Sequence, residues 1–191
     1  MTTFEIIVVG ASLGGLNAVQ TLLAGFPAEF SVPLAIVQHR GSDPDGLLRS
    51  ALQGHSALPV GEPEDKDAIT PGRVYLAPVG YHLLVERGRF SLSTEGRVSY
   101  ARPSVDVLFE SAADAYGGGT VGVILTGSGR DGARGSARIK EAGGLVVVQQ
   151  PMTAHSRYMP DAALSACAAD QVLPLSEIAL FLIGICPRAP R

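Results

Sequence analysis

The sequence predicts an α/β fold with a wound, mostly parallel sheet, helices on both faces in a Rossmann-like three-layer arrangement, and an antiparallel hairpin insert. Two observations support this prediction. Apolar, strand-like runs alternate with segments whose apolar residues follow helical spacing, as in parallel sheets with crossover helices. In the middle of the chain, short β-like runs are separated by Pro-Gly, Pro-Val-Gly and Arg-Gly segments, which indicate hairpins.

The N-terminal part contains two predicted β-α units. Residues 4–22 have the pattern of an apolar strand, a glycine-rich turn and an amphipathic helix. A second strand is predicted at residues 32–38. A short helix then opens at Asp43 and Pro44 and ends near residue 52, because aspartate is a preferred cap and proline fits the first helical position.

The central part, residues 58–92, departs from this alternation and is interpreted as the antiparallel insert. Its short β-like runs are residues 73–77, 82–86 and 89–92. Regular alternation resumes afterwards. Helices are predicted at 104–116, 132–142, 159–166 and 176–185, and strands at 120–125, 145–149 and 171–173. In such a sheet, ligands bind at the carboxyl ends of the strands.

Length and composition limit the class of protein. The chain has 191 residues with 46% hydrophobic residues, so we expect one domain over residues 1–191. A net charge of −3 with scattered basic residues argues against a nucleic-acid partner. The longest C-terminal apolar run has eight residues, whereas a membrane helix needs about 20. We therefore expect a cytoplasmic protein without membrane insertion, in which Cys167 and Cys186 are free buried thiols.

The first turn carries the strongest local motif. Gly10-Ala11-Ser12-Leu13-Gly14 fits the G-x-S-x-G pattern of a nucleophile elbow. A phosphate-binding loop and a plain tight turn remain open on this motif alone. The spacing is not G-x-G-x-x-G, and Glu29 precedes the second strand instead of ending it, so the usual ribose contact of a dinucleotide site is missing.

Three polar clusters follow strands whose carboxyl ends meet at one edge of the predicted sheet. Ser12 follows the first strand, His39 the second, and Asp131 belongs to the glycine-rich turn after the later strand. Taken singly, His39 could be a loop histidine and Asp131 the N-cap of the helix that follows it. Together they predict a Ser-His-Asp triad.

Seven segments, in this order, resemble the catalytic domain of chemotaxis protein-glutamate methylesterases over residues 6–182. They are GASLGG, VQH, APVGYHLLV, RPSVDVLFESAA, VILTGSGRDGARG, GGLVVVQQP and YMP. The resemblance implies a serine hydrolase that demethylates glutamate methyl esters on cytoplasmic helices of chemoreceptors, releases methanol, and deamidates receptor glutamines in many members. The family's triad motifs match Ser12, His39 and Asp131.

The resemblance also implies an oxyanion and substrate-binding region, with backbone N–H groups of Leu13 and of the later turn as donors. Its residues are Leu13, Gly14, Gly127, Ser128 and Gly129. Two of these depart from the family pattern, which commonly has threonine at position 13 and methionine at position 128. A backbone N–H survives both changes, so catalysis is still expected. No cofactor or metal is implied.

The resemblance begins at the first residues, so we expect a stand-alone catalytic domain in phosphorelay signalling, without a receiver domain. Expected partners are methylated chemoreceptor helices or another methylated protein, and a separate regulatory receiver protein. Arg130, Arg134 and Arg138 recur at four-residue spacing, as a solvated face or a patch for an acidic receptor helix. The alternative functions are a catalytically altered scaffold of the same fold and nucleotide binding at the first turn.

Overall fold

The computed structural model describes residues 3–40 and 46–186, which form one α/β unit. The strands in this part of the chain are β1 Ile6–Ala11, β2 Leu34–Gln38, β3 Val60–Gly61, β4 Val74–Leu76, β5 His82–Glu86, β6 Arg89–Ser93, β7 Thr120–Ile124, β8 Leu145–Gln149 and β9 Gln171–Leu173. The α-helices are α1 Gly15–Ala24, α2 Leu47–Gln53, α3 Val105–Tyr116, α4 Ala133–Glu141, α5 Tyr158–Ala166 and α6 Leu175–Ile185.

Seven strands form one parallel sheet in the order β3-β4-β2-β1-β7-β8-β9, and β5 pairs with β6 in a separate antiparallel hairpin. One apolar core lies between the sheet and α1 with α6, and a second lies between the sheet and α3, α4 and α5. Burial on both faces explains why central strands such as β1 are almost continuously apolar. The predicted fold class is confirmed.

One predicted part of the hairpin insert is wrong. The run predicted at residues 73–77 contains β4, which pairs in parallel with β2 and β3 inside the main sheet. The Pro-Gly and Pro-Val-Gly signals around it marked its ends correctly, but turn signals do not specify the strand partner. Only β5 and β6 form the antiparallel insert among the described residues. The short strand β3 was not predicted.

The other predicted elements are confirmed with boundaries shifted by a few residues. Helix α2 begins at Leu47, and its predicted cap, Asp43 with Pro44, lies outside the described residues. Within residues 3–40 and 46–186, the structure contains no helix that combines the length and the apolar character needed to cross a membrane.

The strand order indicates at which edge of the sheet a ligand would bind. The chain leaves β1 toward β2 on one side and later returns to pair β7 on the other side, so the strand order reverses at β1. Ligands of open α/β sheets bind at this reversal, outside the carboxyl ends of the strands. The turns after β1, β2 and β7 carry Ser12, His39 and Asp131.

Candidate active site

Ser12 is the first residue after β1 and is held by its main chain. Its N–H donates to the Thr126 carbonyl at 2.9 Å, and its own carbonyl accepts the Gly15 N–H at 2.8 Å. Gly14 has φ 78°, a left-handed conformation that glycine adopts without steric cost, and it precedes the first residue of α1. The turn therefore fixes Ser12 at the N-terminal end of a helix.

His39 follows β2 and lies beside the Ser12 turn. Its backbone N–H donates to the Ala11 carbonyl at 2.9 Å. Its Nε2 lies 2.7 Å from Asp131 Oδ2, and the His39 side chain is 20% exposed whereas that of Asp131 is 2% exposed. Because Nε2 faces the carboxylate, Nδ1 is the ring nitrogen left for a proton from a nucleophile. In the described part of the chain the Ser12 hydroxyl has no hydrogen-bond partner, and Ser12 and His39 line the same cavities.

The Asp131 carboxylate binds the N-terminal end of α3 as well as His39. Oδ2 accepts the Val105 N–H at 2.7 Å, and Oδ1 accepts the Asp106 N–H at 2.9 Å and the Ser104 hydroxyl at 2.8 Å. Burial alone would raise the pKa of Asp131. The hydrogen bonds from His39 and from the α3 terminus outweigh burial and hold that pKa below its usual value, so the carboxylate stays ionised.

Asp131 therefore caps a different helix from the one that the sequence suggested. It precedes α4, but the N-cap position of α4 is Gly132, which has no side-chain cap. An aspartate is a good acceptor for any free helix N-terminus nearby, and here tertiary folding brings the N-terminus of α3 rather than that of α4 to its carboxylate.

Asp106 makes the reciprocal contact. Its Oδ1 accepts the N–H groups of Gly132 and Gly135, both at 2.9 Å, at the start of α4. Burial raises the pKa of Asp106, the Gly135 N–H lowers it, and the neighbouring Asp131 charge raises it, with an upward result. Asp106 thus holds the segment that carries Asp131.

Asp106→Asn is expected to raise the melting temperature at pH 7. A carboxyl whose folded pKa is raised disfavours the native state at pH values above that pKa, and this penalty disappears as the pH falls below its unfolded pKa. The amide oxygen still accepts from Gly132 and Gly135, while the repulsion with Asp131 is removed. Thermal unfolding of both proteins at pH 7 and near pH 3.5 tests this, and a variant less stable at pH 7 would contradict it.

The Gln38 side chain links the Ser12 turn to the main chain of His39. Its Nε2 donates to the Ser12 carbonyl at 2.8 Å and to the His39 carbonyl at 2.9 Å. The residue is 93% buried, so these two bonds replace the lost contacts of Nε2 with water, whereas Oε1 has no hydrogen-bond partner among the described residues. The sequence displayed this residue in its VQH segment but gave no reason to assign it a positioning role.

Gln38→Met should lower the rate of ester hydrolysis, measured as methanol release, by about 10- to 100-fold while the protein stays folded. The reason is that small displacements of Ser12 and His39 from their reactive positions are costly. Methionine keeps the length of the side chain but cannot donate to the Ser12 and His39 carbonyls. Gln53→Met is the matched control, since Gln53 also bridges main-chain groups but lies at the end of α2. An equal loss of rate in both variants would contradict a specific role for Gln38.

Two cavities meet at Ser12, His39 and Ser128. The first has a volume of about 590 Å³ and is lined on one wall by the segment before α3, including Arg97, Tyr100 and Arg102. The second has a volume of about 610 Å³ and follows the first turns of α1. An extended or helical segment could therefore pass Ser12 with space on both sides.

The predicted oxyanion donors differ in their availability. Within the described ranges, the N–H groups of Leu13, Gly14, Ser128 and Gly129 have no acceptor in the protein. The Gly127 N–H instead donates to the Ser156 carbonyl at 3.1 Å, so it is not available to a substrate.

Gly127 has a packing role that the sequence did not reveal. A Cβ atom at this position would lie 2.0 Å from the Met159 sulfur and 2.9 Å from Ser12 Cβ. Only glycine lets the later turn approach the serine this closely. Leu13 and Ser128, the two residues that depart from the family pattern, line the cavities at the protein surface. Leu13 is 52% exposed, and Ser128 is also exposed.

The other histidines lie outside the Ser12-His39-Asp131 group. His82 is buried, with Nε2 3.0 Å from the Gly96 carbonyl and Nδ1 accepting the Ser104 N–H at 3.2 Å. His55 bonds the Ala51 carbonyl in the last turn of α2 at 3.1 Å, and His155 is exposed next to Gly14.

Both arginines on α4 form ion pairs with acidic side chains on α3. Arg134 contacts Glu110 and Arg138 contacts Asp114 across the two helices. This arrangement favours the solvated-face interpretation for both residues. Arg130, which precedes the helix, is exposed and has no ion-pair partner among the described residues.

The chain is similar in sequence to methylesterases over nearly its whole length. The model of the CheB methylesterase family matches residues 7–182. The chain is 46% identical over 183 residues to a Leptospira interrogans protein named "putative protein-glutamate methylesterase/protein-glutamine glutaminase", covering 95% of each. It is 40% identical over 181 residues to the Myxococcus xanthus protein-glutamate methylesterase FrzG, covering 94% of the chain and 54% of that relative, so it spans about half of FrzG.

A solved structure shows the same fold. The crystal structure of the Thermotoga maritima CheB methylesterase catalytic domain superposes with a TM-score of 0.91 at 34% sequence identity. The match covers 96% of this chain and 99% of that one.

Proposed function

The chain belongs to the CheB methylesterase family, and from this premise we propose that it hydrolyses glutamate methyl esters in proteins with Ser12, His39 and Asp131 as its triad. The observation that supports the triad is the 2.7 Å contact between His39 and the buried Asp131, in a cavity that Ser12 also lines. Asp131 remains ionised, fixes the imidazole ring, and stabilises the imidazolium that forms during the reaction.

The first half of the reaction forms an acyl-enzyme. His39 Nδ1 takes the proton from Ser12 Oγ as that oxygen attacks the ester carbonyl, while Nε2–H donates to Asp131. The tetrahedral oxyanion is stabilised by free N–H groups at the start of α1, those of Leu13 and Gly14, and by the positive end of the helix dipole. The C–O bond to the methoxy group then breaks, and methanol leaves with the proton held by His39.

The second half releases the product. Water gives a proton to His39 and attacks the glutamyl ester on Ser12, and collapse of the tetrahedral intermediate returns the proton to Ser12 Oγ. The product is a glutamate side chain, ionised at neutral pH. A glutamine amide would follow the same path with ammonia as the leaving group, and relatives named glutaminases support this second activity as part of the proposal.

We propose methylated cytoplasmic helices of chemoreceptors as the substrate, and therefore the cytoplasm as the place of action. FrzG and the other relatives named protein-glutamate methylesterases support this choice. A regulatory receiver protein is a further proposed partner, since covering the open mouth of the two cavities would block access to Ser12.

The test is methanol release from a methyl-esterified chemoreceptor cytoplasmic fragment, with ammonia release from the unmodified glutamine form measured in parallel. We expect methanol release proportional to protein concentration. Binding of the fragment without methanol release would contradict the esterase and favour the scaffold alternative. Methanol without ammonia would limit the activity to esters.

A further inference from the structure

A small hairpin before α3 has a strained tip at the cavity mouth. Val98 and Ala101 pair through two backbone hydrogen bonds of 3.1 and 2.9 Å. The tip residues, Ser99 and Tyr100, have φ values of 51° and 64°. Two left-handed residues in succession are typical of a type I′ turn, for which Asn-Gly is the favoured sequence. A tyrosine here is therefore unfavourable for folding.

Tyr100 gains nothing from packing that would offset this strain. It is 95% exposed, so it contributes almost nothing to the core. Its hairpin forms one wall of the cavity that contains Ser12 and His39. Strained backbone concentrates at binding sites, where it is retained for the contact that it presents.

The base of the hairpin is fixed without Tyr100. Arg102 donates to the carbonyls of Thr94 and Glu95 at 2.6 and 2.9 Å, and buried His82 contacts the Gly96 carbonyl. These contacts hold the tip in one position relative to the cavity. An exposed ring at the end of a fixed hairpin can bind a partner at little cost in conformational entropy.

The same wall carries positive charge. Arg97 is exposed, and no ion pair of Arg97 occurs within residues 3–40 and 46–186. The acidic side chain that lines this cavity, Asp131, is buried and already accepts four hydrogen bonds. Among the described residues that line this cavity, the basic side chains are Arg40, Arg97 and Arg102, whereas the whole chain has a net charge of −3.

We propose that Tyr100 and Arg97 form a docking element for an acidic segment of the esterified protein substrate. The Tyr100 ring packs on the aliphatic part of that segment, and the Arg97 guanidinium pairs with a carboxylate that flanks the ester. This inference rests on the proposed function and specifies which surface selects the substrate. Charge complementarity at the mouth overcomes the general repulsion between two acidic proteins.

Tyr100→Gly separates docking from a structural role. We expect the KM for a methyl-esterified acidic protein fragment to rise about tenfold, as for loss of one aromatic anchor. The melting temperature should stay equal or rise, because glycine relieves the strained φ. Leu180→Ala, which removes another large exposed side chain on α6, is the control and should leave KM unchanged. An unchanged KM or a lower melting temperature in Tyr100→Gly would overturn the proposal.

Arg97→Gln tests the charge. In the wild type, KM should rise with added salt, and this salt dependence should weaken in Arg97→Gln but not in Arg73→Gln at the opposite edge of the sheet. A capped glutamate γ-methyl ester, tested on the wild type in parallel, separates a failure of the docking proposal from a failure of the proposed esterase activity. If this small ester is cleaved but neither variant alters the KM or its salt dependence, only the docking proposal fails. If neither ester is cleaved, the proposed function fails and the docking proposal with it.

Discussion

Ser12→Ala should lower methanol release by about 10⁴-fold or more while leaving the protein folded. The change removes the attacking oxygen, and what remains is the contribution of binding and of the N–H groups at the oxyanion. The fold is expected to persist because the hydroxyl has no hydrogen-bond partner in the described part of the chain, and the main-chain bonds of residue 12 are kept.

The measurement compares methanol release by wild type, Ser12→Ala and Ser165→Ala, with thermal unfolding of each. Ser165 lies on the exposed side of α5, so its substitution should leave the rate unchanged. A substantial rate in Ser12→Ala would show that another hydroxyl attacks the ester. Ser128 would be the next residue to test, because it lines both cavities with Ser12.

The sequence was sufficient for the fold class because its signals are local. Buried parallel strands are continuous apolar runs, and the helices between them have their own apolar periodicity. The assignment of β4 failed because Pro-Gly turns mark the ends of a strand but not its neighbour in the sheet. The two-residue strand β3 is too short to produce any pattern in the sequence.

The proximity of Ser12, His39 and Asp131 could be predicted because the carboxyl ends of parallel strands share one edge. The contacts that support them could not, since they join residues far apart in the chain. Asp106 and Gly132 are separated by 26 positions, and the crossed capping of α3 and α4 exists only once the two helices pack together. Likewise, a motif cannot show that the Gly127 N–H is already used by Ser156.

Asp131→Asn tests this crossed arrangement through both activity and stability. An asparagine has one acceptor oxygen where the carboxylate satisfies four donors, so its amide N–H₂ must face either His39 and Val105 or Ser104 and Asp106. We expect kcat to fall by about 10²- to 10⁴-fold, because the imidazole loses its orienting charge. Buried donors left unpaired should also lower the free energy of unfolding by about 1–3 kcal/mol.

The pH dependence distinguishes a charge effect from simple damage. The folded pKa of Asp131 lies below its usual 3.8, so the ionised carboxylate stabilises the protein above pH 3.8, and this contribution is lost as the pH falls through the folded pKa. The stability gap between wild type and Asp131→Asn should therefore be widest at neutral pH and narrow on acidification, whereas Asp114→Asn on the surface of α3 should show little change. A gap that is constant with pH would mean that asparagine disrupts packing, and that the negative charge of Asp131 does not hold the α3 terminus and His39 together.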